Sequence, residues 1–131
     1  MIIDTNIFLE VLLKQNKHEE CLNFLNDLMI GKKRGILSSF IIDSVVINME
    51  RSGSKSKEIE IFLKKIIAAE GLKIYNIGMK DRINALSFIE KYNLDYDDAL
   101  VVQTAIATNS KEILSLDGHF DKVKELKRIV P

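Results

Sequence analysis

The sequence predicts an α/β fold, a three-layer α/β/α sandwich around a mostly parallel sheet of about five strands. Three observations lead to this fold class. Short apolar runs alternate with segments of helical length along the whole chain. The runs lack the apolar–polar alternation of a sheet with one solvated face, which is typical of parallel strands covered on both sides. Loop-forming residues are concentrated in two short stretches, 31–35 and 52–56, so no linker divides the chain.

Five apolar runs are predicted as buried strands, at residues 2–3, 36–37, 72–75, 113–116 and 129–130. The segments between them carry apolar residues at three- and four-residue spacing, the period of an amphipathic helix. This spacing predicts helices over 17–30, 58–69 and 80–92, the last with Ile83 and Leu86 on its packed face. Another helix begins near Ala99 and is apolar nearly all round, which predicts burial. Strands that alternate with such helices require right-handed crossovers, with helices on both faces.

Length and composition favour a single domain, residues 1–131, whose 47% hydrophobic residues can form a core without disulfides or structural zinc. The 19 basic and 19 acidic residues cancel, which argues against the overall positive field of a non-specific nucleic-acid binder. Cys21 is the only cysteine, so we expect a cytoplasmic protein without an internal disulfide. Asp4 and Glu10 interrupt the apolar N-terminal segment, and we expect neither a signal peptide nor a membrane span.

Three of the predicted strands end abruptly in oxygen-bearing side chains. The residues that follow these strands are Asp4, Ser38 and Asp117, and the acidic segment 95–98 precedes the buried helix. The carboxyl ends of parallel strands share one edge, where open α/β sheets bind ligands. Carboxylates gathered there from remote segments would repel one another unless a cation lay among them. A set of oxygen ligands suits Mg²⁺ or Mn²⁺ better than Zn²⁺.

Each of these acids also has a purely structural interpretation. Asp95 and Asp98 are spaced as in a helix-capping arrangement, and carboxylates in a first turn complement the helix dipole. Asp4 could cap the helix that follows it, and Asp117 could end its strand in a turn. His119 has no second histidine at ligand spacing, which is typical of a surface residue.

The segments that contain these acids resemble the PIN domain, the fold of many small metal-dependent ribonucleases, including the VapC-type toxins. The matching segments are IIDTNIFLEVL, LDYDDALVVQTA and ILSLDGHFDKV, and in register they span essentially the whole chain. The resemblance implies that Asp4, Asp98 and Asp117 are catalytic residues that bind Mg²⁺ or Mn²⁺, with a 5′-phosphate and a 3′-hydroxyl as products. It also implies supporting roles for Thr5, Asn6, Asp97 and Ser115.

One position departs from the pattern of the family. The second acidic residue of PIN domains, usually a Glu early in the helix after the second strand, aligns with Ser44. Asp43 is the predicted substitute and the fourth candidate catalytic residue, because this end of the helix lies at the carboxyl edge of the sheet. Glu50 lies about two helical turns after Asp43, or roughly 10 Å away. The alternative is that Asp43 is an ordinary residue of an exposed helix face.

The resemblance implies a divalent-metal-dependent ribonuclease, the toxin of a toxin–antitoxin pair, with RNA, an antitoxin protein and a second copy of the chain as partners. Residues 7–13 and the helix at 17–30 are the expected partner surfaces. The alternative is a catalytically weak RNA-binding or assembly module, which Ser44 favours. Since the net charge is zero, we expect RNA binding to depend on divalent ions more than on an overall positive field.

Overall fold

A computed structural model describes all 131 residues, as a five-stranded, fully parallel sheet covered by six α-helices. This architecture confirms the predicted fold class, and the element bounds move by only a few residues from those predicted. In chain order the elements are β1 (Ile2–Ile3), α1 (Thr5–Leu12), α2 (His18–Met29), β2 (Gly35–Ser38), α3 (Ser39–Arg51), α4 (Ser56–Ala68), β3 (Leu72–Tyr75), α5 (Met79–Tyr92), α6 (Tyr96–Ala107), β4 (Glu112–Leu114), a 3₁₀ helix (Gly118–Lys122) and β5 (Lys127–Ile129).

The strand order is β3-β2-β1-β4-β5. Strands β1, β2 and β3 follow one another toward one edge of the sheet, and the chain then returns to place β4 on the other side of β1. Because parallel crossovers are right-handed, this reversal puts α1–α4 on one face and α5 and α6 on the other. The contacts agree, since α1 packs on α2 and α3 whereas α5 packs on α6. The reversal point lies between β1 and β4, where α/β sheets open a ligand crevice.

The three central strands supply the most buried side chains. Ile2 and Ile3 of β1, Leu37 of β2, and Ile113 and Leu114 of β4 are completely buried. Full burial of each such side chain contributes about 1.5–3 kcal/mol. The residues that follow these strands are therefore held on a rigid support.

Helix α6 is the other buried element, with every residue from Ala99 to Ala105 inaccessible to solvent or nearly so. Cys21 is also fully buried, as its apolar helical position predicts. No helix of the structure combines the length and the apolar character that a membrane span requires.

The predicted packed face of the helix at 80–92 is wrong. Ile83 and Leu86 are 60% and 51% exposed, whereas Ala85 and Tyr92 are buried. Helix α5 carries two apolar stripes, and the one containing small Ala85 packs on α6 because it allows the closer approach. Tyr92 supports this orientation, since its hydroxyl donates a hydrogen bond to the partly buried carboxylate of Glu125, near the C-terminal end of the chain.

Candidate metal centre

Asp4 follows β1 and lies at the reversal point of the sheet. Its backbone N–H donates to the Leu114 carbonyl oxygen of the neighbouring strand, at 3.0 Å. Its Oδ1 accepts a hydrogen bond of 2.7 Å from the Thr5 backbone N–H, so Asp4 does cap α1. Only 8% of Asp4 is exposed, and burial of a carboxylate is costly unless several donors or a cation compensate. The capping function therefore accounts for one of its oxygens and leaves the other for the site.

A hydrogen-bond network from two remote segments holds that second oxygen. Asp4 Oδ2 accepts hydrogen bonds from Ser115 Oγ at 2.6 Å and from Asn6 Nδ2 at 2.8 Å. Ser115 Oγ in turn accepts from the Asp117 backbone N–H at 3.0 Å and from Asn6 Nδ2 at 3.1 Å. Asn6 Oδ1 accepts from the Leu116 N–H, which ties the start of α1 to the end of β4. These bonds fix Asp4 and Asp117 relative to each other.

The first turn of α6 brings Asp97 and Asp98 to the same place. Asp98 is half-buried, and Asp97 is exposed. The side chain of Asp95, at the N-cap position, makes no capping hydrogen bond. The capping arrangement considered for Asp95 and Asp98 is thus absent, and their carboxylates are not needed to satisfy the backbone of α6.

These acids meet in a polar crevice of about 260 Å³ at the carboxyl ends of β1 and β4. The structure brings together seven of the eight predicted site residues. Six of them line the crevice, and the seventh, Ser115, is completely buried and hydrogen-bonded to Asp4. Only Asp43 lies elsewhere. The lining residues are Asp4, Thr5, Asn6, Leu9, Phe40, Ser44, Asn48, Asp97, Asp98, Val101 and Asp117.

Asp43 does not line the crevice, contrary to the substitution expected for the missing Glu. It is exposed on α3, and Glu50 is exposed as well. Successive residues of a helix point about 100° apart, so Ser44 faces the crevice and Asp43 beside it does not. Asn48, one turn after Ser44 on the same face, lines the crevice too. Its Nδ2 donates to the Ser44 carbonyl oxygen at 2.8 Å, which leaves Oδ1 as a free acceptor. The sequence analysis overlooked Asn48, although its i+4 spacing from Ser44 is a signal for it.

Burial and neighbouring negative charges raise the pKa of two of the carboxylates. Burial, followed by the charges of Asp97, Asp4 and Asp117, raises the pKa of Asp98 to about 6. Burial also raises the pKa of Asp4, although the hydrogen bonds from Ser115 and Thr5 oppose this effect. For both residues burial is the largest cause, and the negative charges of neighbouring aspartates act in the same direction.

The donor set fits a divalent cation. His119 is the only basic residue within 4.0 Å of any of these carboxylates. One ligand atom each from Asp98, Asp117 and His119 lies within 4.8 Å of the other two. Asp4 lines the crevice together with Asp98 and Asp117. A bound cation would offset both the burial and the neighbouring negative charges that raise the pKa of Asp98. Asp98 and Asp117 are thus the carboxylates with ligand spacing, and Asp4 is the further buried carboxylate of the crevice that could take part in holding the ion.

The family model of the PIN domain matches residues 1–126 of this chain. The chain belongs to the PIN domain family. Among curated proteins, none matches this PIN domain by sequence at a significant level.

Solved structures show the same fold. This PIN domain is similar to VapC20 of Mycobacterium tuberculosis, a sarcin–ricin loop cleaving toxin, with a TM-score of 0.79, 10% identity, and coverage of 99% of this chain and 98% of that one. It is also similar to a toxin–antitoxin complex from Klebsiella pneumoniae, with a TM-score of 0.68 and 17% identity over 96% of this chain and 94% of that one. For VapBC2 from Rickettsia felis, bound to a DNA fragment from its promoter, the TM-score is 0.66 and the identity is 21%, over 98% of this chain and 96% of that one. At these identities the likeness shows the fold.

Proposed function

We propose that this PIN domain is a ribonuclease that requires Mg²⁺ or Mn²⁺ and acts as the toxin of a toxin–antitoxin pair. One observation carries the proposal, namely the convergence of Asp4, Asp98 and Asp117 from three remote segments in one crevice. The raised pKa values of Asp98 and Asp4 support it, because they indicate a site built for a cation that supplies the missing positive charge. Membership of the PIN family supports the reaction class, and the fold shared with VapC toxins is consistent with it.

The residues of the crevice would divide the work between binding and orientation. Asp4, Asp98 and Asp117 would hold the ion, and Ser115 and Asn6 would keep Asp4 in place through their hydrogen bonds. Such an ion, when bound, polarises a phosphodiester and makes a water nucleophilic near neutral pH. Asn48 Oδ1 and the Asp97 carboxylate are the remaining acceptors in the crevice that could orient that water. Asp43 is left without a catalytic role in this proposal because it lies outside the crevice.

The proposal is tested with the purified chain and a long unstructured RNA. Cleavage should appear with millimolar Mn²⁺ or Mg²⁺, stop on addition of EDTA and return when the metal is restored. Asp4→Asn should abolish cleavage, and Asp43→Asn should retain it. Asp43→Asn is the matched control because it removes the same charge from an exposed position outside the crevice. Equal activity of the Asp4→Asn variant and the wild type would refute the site assignment.

RNA binding itself is expected to depend on the ion. A phosphate that approaches four carboxylates is repelled until a cation neutralises them, and the whole chain has no net positive charge to compensate. Fluorescence anisotropy with labelled RNA measures this binding. The inactive Asp4→Asn variant is unsuitable for it, because the substitution also removes a proposed ligand of the ion. The measurement therefore uses wild type with a non-hydrolysable phosphorothioate RNA, and binding of equal strength with Mn²⁺ and with EDTA would contradict the expectation.

Ser44 favours a second candidate function, a catalytically weak RNA-binding or assembly module. The crevice has Ser44 where PIN domains usually carry a Glu, so it holds one acid fewer on the α3 side. In that case Mn²⁺ should leave the melting temperature unchanged, because only a ligand that binds the folded state raises it.

Restoring this acid is predicted to strengthen the centre. Ser44→Glu should lower the Kd for Mn²⁺ by about tenfold, since the added carboxylate joins a site that already lacks positive charge. Isothermal titration calorimetry measures the change, with Ile47→Glu as the control because Ile47 is an exposed residue of the same helix outside the crevice. An identical Kd in both variants would show that position 44 does not reach the ion.

An antitoxin partner is proposed for the apolar side of α1, α2 and α4. Leu12, Leu13 and Leu22, which lie in the partner surfaces expected from the sequence, are exposed. They line two apolar grooves, and one of these shares Leu9 and Asn48 with the acidic crevice. A protein bound there would lie next to the carboxylates. The genetic test is a short reading frame beside this gene whose product co-purifies with the chain and suppresses cleavage.

A homodimer is proposed through the exposed stripe of α5. Met79, Ile83 and Leu86 lie at i, i+4 and i+7, so they form one continuous apolar face that the folded monomer leaves open. Ile83→Glu should turn a dimer into a monomer in sedimentation equilibrium, because a charge would be buried without a partner. Leu63→Glu, at an exposed apolar position of α4, is the control. A wild-type chain that sediments as a monomer at high micromolar concentration would contradict the proposal.

A further inference from the structure

His119 lies beside the acidic crevice, in a neighbouring pocket that shares Asp98 with it. Its Nδ1 is 3.3 Å from Asp117 Oδ1 and 3.7 Å from Asp98 Oδ2. One ligand atom from each of the three residues lies within 4.8 Å of the other two, and no other such group of ligands occurs in the structure. The imidazole is thus the only nitrogen donor near these carboxylates.

The backbone places His119 there, although 67% of its side chain is exposed. Asp117 caps the 3₁₀ helix, and its Oδ1 accepts a hydrogen bond of 2.8 Å from the His119 backbone N–H. The next residue, Phe120, is completely buried in the core. A capped turn on one side and a buried aromatic on the other hold residue 119 beside Asp117. The fold of this segment therefore holds the backbone of His119 within reach of Asp117.

The spacing suits ligands of a single ion. In an octahedral site with metal–ligand bonds of about 2.1 Å, neighbouring ligand atoms are about 3.0 Å apart and opposite ones about 4.2 Å apart. The separations of 3.3 and 3.7 Å from the imidazole to the two carboxylates fall between these values. The three ligand atoms all lie within 4.8 Å of one another, so side-chain adjustments of less than about 1 Å would bring them onto one ion.

We infer that His119 is a nitrogen ligand of the metal centre beside Asp98 and Asp117, and that it makes the centre prefer Mn²⁺ to Mg²⁺. The inference rests on the proposed metal dependence and goes beyond the carboxylates that PIN domains use. Imidazole is a favourable ligand for transition metals, whereas Mg²⁺ selects oxygen and retains its waters. With Mg²⁺ a water would take the place of the imidazole, so His119 would contribute to the binding of Mn²⁺ and not of Mg²⁺.

Two titrations test the preference. Isothermal titration calorimetry at pH 7.5 measures the Kd of Mn²⁺ and of Mg²⁺ for wild type, His119→Ala and His18→Ala. The chain has two histidines, and His18 lies at the start of α2 outside the crevice, so His18→Ala is the matched control. His119→Ala should weaken Mn²⁺ binding at least about tenfold. Its Mg²⁺ affinity, and both affinities of His18→Ala, should stay within twofold of wild type.

A spectroscopic measurement identifies the ligand directly. Electron spin echo envelope modulation of the Mn²⁺ complex should show ¹⁴N coupling in wild type and in His18→Ala, and none in His119→Ala. Mn²⁺ binding without nitrogen coupling in wild type would overturn the assignment of His119 and leave the carboxylate centre intact. A wild-type chain that binds no Mn²⁺ would overturn the proposed metal dependence as well. An equal loss of Mn²⁺ and Mg²⁺ affinity in His119→Ala would refute the ion preference.

Discussion

Asp98→Asn should make the metal-free protein more stable while abolishing the Mn²⁺-dependent cleavage. The charge of Asp98 is held among buried and acidic surroundings that raise its pKa from 3.8 to about 6, so ionisation of this carboxyl opposes folding at pH 7. The side chain keeps 19% exposure and one contact with His119, which reduce the effect. We expect a gain of about 1–2 kcal/mol, or roughly 3–8 °C in melting temperature. Differential scanning calorimetry in EDTA measures it.

The stability gain of Asp98→Asn should depend on pH, because the pKa of Asp98 is higher in the folded protein than in the unfolded chain. Between pH 3.8 and about 6 the folded protein holds the Asp98 proton more tightly than the unfolded chain does. The stability that protonation provides is complete below the unfolded pKa and is lost as the pH rises through the folded value. Asparagine is neutral throughout. The difference in melting temperature between Asp98→Asn and wild type should therefore be largest at pH 7 and vanish near pH 4.

Asp43→Asn is again the control, since it removes an exposed carboxylate of α3 outside the crevice. Its melting temperature should stay within about 1 °C of wild type, because isolated surface charges contribute little to stability. With saturating Mn²⁺ the order should reverse, and wild type should melt above Asp98→Asn. A metal-free Asp98→Asn variant that is less stable than wild type at pH 7 would show that Asp98 has a structural role in α6.

Ser115→Ala should lower the free energy of unfolding by about 2–4 kcal/mol, since it removes three hydrogen bonds of one buried network. Ser115 is completely buried, donates to Asp4 Oδ2, and accepts from Asn6 Nδ2 and the Asp117 N–H. The loss of its donor leaves the Asp4 carboxylate with less compensation and should raise its pKa further. Urea denaturation measures the free energy of unfolding. Because Asp4 and Asp117 lose their common support, Mn²⁺ affinity should fall as well.

Two variants separate the network from a general effect of losing a hydroxyl. Ser87→Ala removes an exposed hydroxyl of α5 that bonds only to the Asn84 carbonyl oxygen, and it should be neutral within about 0.5 kcal/mol. Ser115→Thr retains the hydroxyl and should recover part of the Mn²⁺ affinity. If Ser115→Ala unfolds at the same urea concentration as Ser87→Ala, the hydrogen bonds of Ser115 do not stabilise the site.

The sequence could predict those parts of the site that follow from position along strands. Asp4 and Asp117 come directly after apolar strands, and Asp98 opens a buried helix, so their meeting at one sheet edge follows from the parallel topology. The dual function of Asp4 as helix cap and crevice residue also reconciles two interpretations that its sequence position left open.

Other parts depend on rotation about a helix axis, which a short segment of sequence does not determine. Asp43 and Ser44 are neighbours in the chain, and only the packing of α3 decides that Ser44 faces the crevice. The same holds for α5, where two apolar stripes compete and the one with Ala85 is buried in place of the one with Ile83. The position of His119 near the carboxylates could not be predicted either, because it depends on the 3₁₀ turn after Asp117 and a lone histidine has no partner at ligand spacing.

The central claim is that the crevice of Asp4, Asp98 and Asp117 binds a divalent ion. Isothermal titration calorimetry of Mn²⁺ into the metal-free chain tests it most directly, with Asp117→Asn and Asp43→Asn measured beside wild type. We predict saturable binding by wild type and by Asp43→Asn with the same Kd, and a loss of affinity of at least about tenfold in Asp117→Asn. Absence of binding to wild type, or equal affinities of the two variants, would contradict the claim.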